Sequence, residues 1–249
     1  MTYFVLGASA GLGRALARRL AAARHDLILV SSNERDVAAM AADLSVRHGV
    51  RAVPIGADVG EGDVYLERVA EAARALGSLD GLLCPLGAVA EGDDGRLGPQ
   101  QAAWLTRVNF LSVVSAVTRF LPALRGRPRA VIVGFGSVAA ARGRGANMVY
   151  AATKRALESF FEGLRHLCVG SNVIVQFYVL GYLDTNLAFG RRTPLPKGDP
   201  DALSARVLRD LGRDIGVAYY PAFWRPVCAG LRRVPWFLVK LLKVPGDSR

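Results

Sequence analysis

Cysteine and histidine are both scarce, with three of each in 249 residues. Cys84, Cys168 and Cys228 are far apart, odd in number and include no C-x-x-C pair. That excludes a disulfide scaffold and a thiolate zinc site, and fits buried thiols in a reducing cytoplasm. His25, His48 and His166 lack metal-ligand spacing, so no metal is expected. No stretch of about 18 uncharged apolar residues exists, which excludes an ordinary spanning helix. The segment from Met1 to Gly11 has no basic residue ahead of its apolar stretch and is not a secretory signal. Acidic side chains are also short: 21 Asp and Glu stand against 32 Lys and Arg, a net charge of +11. Yet 51% of the chain is hydrophobic, so it is no disordered basic tail. The basic excess favours anionic partners, namely nucleic acid, phosphorylated metabolites or an anionic membrane surface. The expected location is cytoplasmic, with peripheral attachment to the inner face of the membrane as the alternative.

What is present is a regular alternation. Tyr3–Leu6, Leu27–Val30, Ala52–Ile55, Leu79–Cys84, Ala130–Val133 and Val173–Val179 read as buried strands, with Val217–Tyr220 as a weaker seventh. Between them, Leu12–Ala23, Glu34–Arg47, Val64–Leu76, Gln101–Leu124 and Tyr150–Val169 read as helices. Strict alternation implies right-handed crossovers and a doubly wound α/β fold with a parallel sheet covered on both faces. No repeat or linker interrupts it, so residues 1–249 are expected to form a single domain. The connection from Tyr182 to Pro200, dense in Pro, Gly and Arg, suits a lid over a site.

The first strand ends in Gly7-Ala8-Ser9-Ala10-Gly11-Leu12-Gly13 and runs into an alanine-rich helix. Glycines there permit a tight turn and close approach of a pyrophosphate, which unpaired N–H groups and the helix dipole stabilise. After the second strand, where a carboxylate would hold an NAD ribose, the sequence has Ser31-Ser32-Asn33 and no acid. NADP(H) is therefore preferred, with NAD(H) as the alternative, and Arg35 or Arg14 beside the serines as phosphate partners. Asp58-Val59 follows the third strand; Asp58 either sits beside the adenine or caps the next helix.

Gly134-Phe135-Gly136-Ser137 closes a strand and Tyr150-Ala151-Ala152-Thr153-Lys154 opens a helix. Four residues make one helical turn, so Tyr150 and Lys154 share a face. An ammonium beside a phenol favours the phenolate and makes the tyrosine a usable proton donor to a ketone oxygen. Ser137, at the carboxyl end of a strand, can hydrogen-bond the same oxygen.

The glycine turn, Asp58, Asn109, Ser137, Tyr150 and Lys154 together resemble the short-chain dehydrogenase/reductase family. The resemblance implies a Rossmann-type seven-stranded sheet in the order 3-2-1-4-5-6-7, a nicotinamide cofactor, and hydride transfer to a carbonyl carbon or from a carbinol. By that resemblance Ser137 positions the substrate oxygen, Tyr150 is the general acid/base, and Lys154 binds the nicotinamide ribose while tuning Tyr150. It also makes Asn109 the residue that holds a proton-relay water, and Leu86, Gly87, Leu180, Gly181, Leu183 and Thr185 cofactor contacts. Two places depart from the family pattern. Cys84-Pro85-Leu86-Gly87 stands where Asn-Asn-Ala-Gly is usual, and Leu180-Gly181 where Pro-Gly is usual. The resemblance further implies a homodimer or homotetramer.

From Pro221 to Arg249 there are six Lys or Arg and one Asp, interleaved with Phe223, Trp224, Trp236 and Phe237. This basic aromatic appendage, 221–249, suits a segment lying in a membrane interface, the alternative being a helix packed on the protein. With Arg142 and Arg144 just ahead of Tyr150, it is similar to the branch that includes decaprenylphosphoryl-2-keto-ribose reductases. That likeness implies a lipid-linked ketone or alcohol, with Arg142, Arg144 and Tyr182 as substrate contacts; solvated loop arginines are the plain alternative. A cytosolic 3-ketoacyl-thioester or polycyclic-ketone reductase is the second expectation, and a non-catalytic dinucleotide-binding interaction protein a remote third. Nucleic-acid binding is not expected, because no helix presents a basic recognition face.

Overall fold

The computed structural model describes residues 1–185 and 196–240. Seven parallel strands form one sheet in the order β3-β2-β1-β4-β5-β6-β7. They are β1 (Thr2–Leu6), β2 (Asp26–Ser31), β3 (Ala52–Gly56), β4 (Gly81–Cys84), β5 (Ala130–Ser137), β6 (Val173–Leu180) and β7 (Val217–Tyr220). Both the doubly wound sheet and its order are thus as expected. Side chains alternate across the strands: Phe4 and Leu6 enter one core, Tyr3 and Val5 the other. That is why these strands read as unbroken apolar runs rather than as alternating ones.

One face is covered by α3 (Tyr65–Leu76), α5 (Ser112–Arg125) and α6 (Met148–Leu167), the other by α1 (Gly11–Ala22), α2 (Glu34–His48) and α7 (Pro200–Asp210). Glycines in β5 let aromatic rings settle directly on the sheet. A Cβ on Gly134 would meet the Phe161 ring, and one on Gly136 the Phe177 ring. Phe161 and Phe177 are themselves fully buried and 5.1 Å apart. Burial of each such ring contributes about 1.5–3 kcal/mol.

Three expectations need correction. The helix read as Gln101–Leu124 is three pieces: α4 (Pro99–Thr106), a π-helical turn over Arg107–Leu111, and α5. The apolar periodicity runs through the π turn without a break, so the sequence hides it. Leu79 and Asp80 precede β4 rather than belong to it; Asp80 instead accepts the Thr2 N–H at 2.8 Å and pairs with Arg127. Helix α7 was not anticipated, although Asp199-Pro200 is a legible start, with Asp199 accepting the Asp201 N–H and Pro200 in the first turn. The expected lid runs from β6 toward α7, and its residues 186–195 lie outside the described residues, as do 241–249 of the tail.

The tail divides. In α8 (Trp224–Arg233), Trp224 and Cys228 pack on Ala141 and Tyr182, and Arg232 pairs with Glu158. In α9 (Trp236–Val239) no residue is buried, and Trp236, Phe237 and Leu238 are exposed. Among the described residues no helix is long and apolar enough to cross a membrane.

Candidate active site

The carboxyl ends of β1, β2, β4 and β5 converge on one edge, where an open parallel sheet presents its ligand crevice. Gly7 takes a left-handed φ of 92°, and the Gly7 and Ala8 N–H groups both donate to Val30 O at 2.9 Å. Gly13 lies against Gly7 O so closely that any side chain there would collide with backbone. Gly11, at φ 47°, lies under Thr185, whose methyl would be 3.1 Å from a Cβ at that glycine. The N-cap of α1, Ala10, offers no side-chain acceptor and no acid stands in the first turn. The helix therefore presents uncapped N–H groups and positive dipole to the crevice, the environment a pyrophosphate needs.

Beside this turn is a cleft of about 260 Å³. Of the expected cofactor residues it brings together Gly7, Ser9, Ala10, Ser31, Ser32, Asp58, Val59, Leu86 and Gly87. Gly11 and Thr185 line a second recess of about 700 Å³ together with Arg14 and Lys197. Tyr150, Lys154 and the remaining seven candidates do not line either. Leu12 and Gly13 are buried in α1; Asn33 caps α2, accepting the Asp36 N–H at 3.0 Å; Arg35 is exposed on α2. Leu180 and Gly181 continue the β6 edge, where Gly181 N–H donates to Tyr220 O at 2.8 Å, and Leu183 bridges to Gly198. Asp58 does not cap α3, whose N-cap is Val64; it accepts the Gly60 N–H at 2.8 Å from within the cleft. The Ser9 and Ser31 hydroxyls are hydrogen-bonded to each other and join the first turn to the second.

Lys154 is 3% exposed, and its Nζ lies 6.0 Å from the centroid of the Tyr150 ring. It donates to Leu86 O at 2.9 Å and Phe135 O at 3.2 Å, joining the ends of β4 and β5. Burial lowers its pKa to about 8, against the opposing influence of the Cys84 thiol, which burial pushes up. An ammonium has three donors, so one remains beyond the two carbonyls. Ser137 accepts the Ala139 N–H at 3.2 Å, which leaves its own O–H free to donate.

Asn109 is fully buried in the π turn. Its Oδ1 accepts the Ala88 N–H at 2.8 Å and its Nδ2 donates to Ala88 O at 2.9 Å, so both halves of the amide grip the loop after β4. A Cβ on Gly87 would be 3.7 Å from Lys154 Nζ and 3.9 Å from Asn109 Oδ1, which places this backbone in contact distance of both side chains. π turns of this kind are frequent at functional sites.

Sequence reasoning missed Asp93. It is 4% exposed and holds the start of α6: its Oδ1 accepts the Val149 N–H at 2.7 Å, its Oδ2 the Tyr150 N–H at 2.9 Å, and its carbonyl the Met148 N–H at 3.1 Å. The partner is more than fifty residues upstream, beyond any capping pattern visible in sequence. Val30, Ala57, Pro85, Ala88, Trp104 and Val108 also line the cleft unforeseen. Arg142 is half-buried after the turn that follows Ser137; Arg144 has a buried Nε without a partner among the described residues. Tyr182 meets Trp224 edge-on at 6.0 Å. No group of three metal-ligating side chains occurs among the described residues.

A family model described as short chain dehydrogenase matches residues 2–194. A hydroxysteroid 11-beta-dehydrogenase 1-like protein from Xenopus tropicalis is 33% identical over 238 residues, 90% of this chain and 80% of the relative. A short chain dehydrogenase from Burkholderia cenocepacia in complex with NADP is 28% identical, with a TM-score of 0.78 over 87% of this chain and 94% of that one. A short-chain dehydrogenase from Sphingobium yanoikuyae in complex with NADPH has a TM-score of 0.81 over 99% and 98% of the two chains at 24% identity, a likeness of fold.

Proposed function

The chain belongs to the short-chain dehydrogenase/reductase family of NAD(P)-dependent oxidoreductases, and from that premise we propose that it interconverts a ketone and a secondary alcohol with NADP(H). The observation that carries this reading is the Lys154 ammonium, buried beside the Tyr150 ring and suspended between the carbonyls of Leu86 and Phe135. With its pyrophosphate held by the glycine turn, a bound nicotinamide cofactor would supply the hydride. The chain does the rest. Tyr150 donates its phenolic proton to the ketone oxygen, and the Ser137 hydroxyl hydrogen-bonds that oxygen as charge develops on it. Lys154 keeps a positive charge beside the phenol and offers its third N–H to the nicotinamide ribose. Asn109 grips Ala88 and so holds the loop after β4 against the lysine.

The cofactor choice is supported by the absence of an acid from Ser31-Ser32-Asn33 at the end of β2, by Ser31 and Ser32 in the cleft, and by NADP in the Burkholderia relative. The phosphate contacts we assign are the serine hydroxyls and Arg35; Leu180, Gly181, Leu183 and Thr185 hold the nicotinamide end.

For the substrate we favour an amphipathic, phosphate-bearing ketone such as a lipid-linked keto-sugar, with Arg142, Arg144 and Tyr182 at the entrance. The unpartnered Arg144 Nε supports this, as does an exposed apolar tip in a basic tail. The second reading, a cytosolic polycyclic-ketone or 3-ketoacyl-thioester reductase, is favoured by the hydroxysteroid name of the Xenopus relative. In both, residues 1–249 act as one catalytic domain with 221–249 appended, assembled as two or four copies through α4, α5 and α6.

The test is loss of NADPH absorbance with three ketone classes in parallel: a polyprenyl-phosphate keto-sugar, a steroid ketone and a 3-ketoacyl thioester. Turnover of the first supports the lipid-linked reading; turnover of either other class replaces it with the second. No turnover of any carbonyl with NADPH or NADH would refute the enzyme reading.

A further inference from the structure

One wall of the cleft beside the glycine turn comes from outside the strand ends. Trp104, in the second turn of α4, lines it together with Asp58, Val59, Ala88 and Val108. Val108, at the start of the π turn, faces the same space as Trp104. Trp104 keeps 39% of its surface exposed while its neighbour Leu105 is fully buried. A large aromatic held half-open at the mouth of a cleft leaves apolar surface that a flat ligand can cover.

The indole is held in place rather than left to swing. A Cβ on Gly60 would overlap its Nε1 and Cδ1 atoms, so the ring edge packs directly on the glycine backbone. The Gly60 N–H in turn donates to Asp58 Oδ1 at 2.8 Å, which ties the carboxylate and the indole into one unit. The second Asp58 oxygen has no hydrogen-bond partner among the described residues and can accept an amino group. Apolar walls, an aromatic plane and a carboxylate acceptor together suit a purine bearing an exocyclic amine.

We propose that Trp104 stacks on the adenine ring of the nicotinamide cofactor, closing the outer side of its pocket. The assignment rests on the cofactor reading above and adds to it a binding residue on α4.

Titration of the full-length protein with NADPH, followed by tryptophan emission, tests this directly. The chain has three tryptophans, at positions 104, 224 and 236. Binding quenches emission in the wild type; Trp104→Phe loses most of that quench, and Trp236→Phe keeps it. Calorimetry with NADPH, and separately with the adenosine bisphosphate half of NADP that carries no nicotinamide, shows Trp104→Ala binding both about tenfold more weakly or worse, as loss of an aromatic–base stack does. Trp104→Phe, which keeps a ring, recovers much of that affinity. Wild-type affinity of Trp104→Ala for both ligands, or a quench unchanged in Trp104→Phe, would overturn the proposal. A wild type that binds neither ligand would instead overturn the cofactor reading, and this assignment with it.

Discussion

Burial of the Lys154 ammonium at 3% exposure carries a desolvation penalty, which hydrogen bonds to Leu86 O and Phe135 O offset. Its pKa falls from the ordinary 10.5 to about 8, so between those values the unfolded chain binds a proton that the folded chain does not. Stability contributed by this group therefore rises with pH across that window and is absent below it. Lys154→Met removes the titration. Chemical denaturation of the cofactor-free protein from pH 7 to 10.5 is expected to show the wild type gaining stability relative to the variant through the window. A parallel course for the two would contradict the burial argument. At this scale the sequence was most informative for Tyr150, Lys154 and Ser137, because each belongs to a pattern fixed by local spacing. It was least informative for Asn109, which sits in a π turn that does not interrupt the apolar periodicity, and for Trp104, an aromatic on α4 that no local pattern marks as facing a cleft.

At the scale of elements, α6 is the helix that aims Tyr150, and its N-terminus is held from a distance. The preceding residue, Asn147, is in the left-handed region at φ 55° and makes no side-chain cap; Asp93 satisfies the first three N–H groups instead. This carboxylate couples the loop that carries Gly87 and Ala88 to the helix that carries Tyr150 and Lys154. Asp93→Ala leaves two of those N–H groups without an acceptor and is expected to cost about 2 kcal/mol, read as a lowered urea midpoint. It is also expected to lower kcat more than it raises KM, because Tyr150 is displaced while the cofactor cleft stays intact. Asp93→Asn retains one acceptor and is expected to fall between the two. Unchanged stability in Asp93→Ala would show that the cap is not needed. The seven strands were legible because a sheet buried on both faces makes continuous apolar runs. Helix α7 was not, since its apolar residues are sparse among charges and only its Asp-Pro start marks it.

Over the whole molecule, the excess of positive charge is not spread evenly. Part is neutralised on helix faces, as Arg119 is by Glu67 and Arg232 by Glu158; another part gathers in the tail, with Arg233 and Lys240 flanking the exposed Trp236, Phe237 and Leu238. Helix α8 packs beside the turn that follows Ser137, so the exposed tip it carries is attached close to the site. On the proposed membrane reading, this apolar tip between basic residues would insert into an anionic interface. Co-sedimentation with vesicles containing phosphatidylglycerol is expected for the wild type and is expected to fall severalfold in a Trp236→Ala/Phe237→Ala double variant, with soluble-substrate turnover unaffected. Equal sedimentation of the two, or none by the wild type, would remove the membrane from the account and favour the cytosolic reductase.

The proton transfer proposed for Tyr150, to or from the substrate oxygen, is tested most directly by NADPH oxidation by Tyr150→Phe with any ketone that the wild type turns over. A fall in kcat of about a hundredfold or more is expected, the range lost with a general acid, while the dissociation constant for NADPH stays within about twofold. Wild-type turnover by Tyr150→Phe would contradict it.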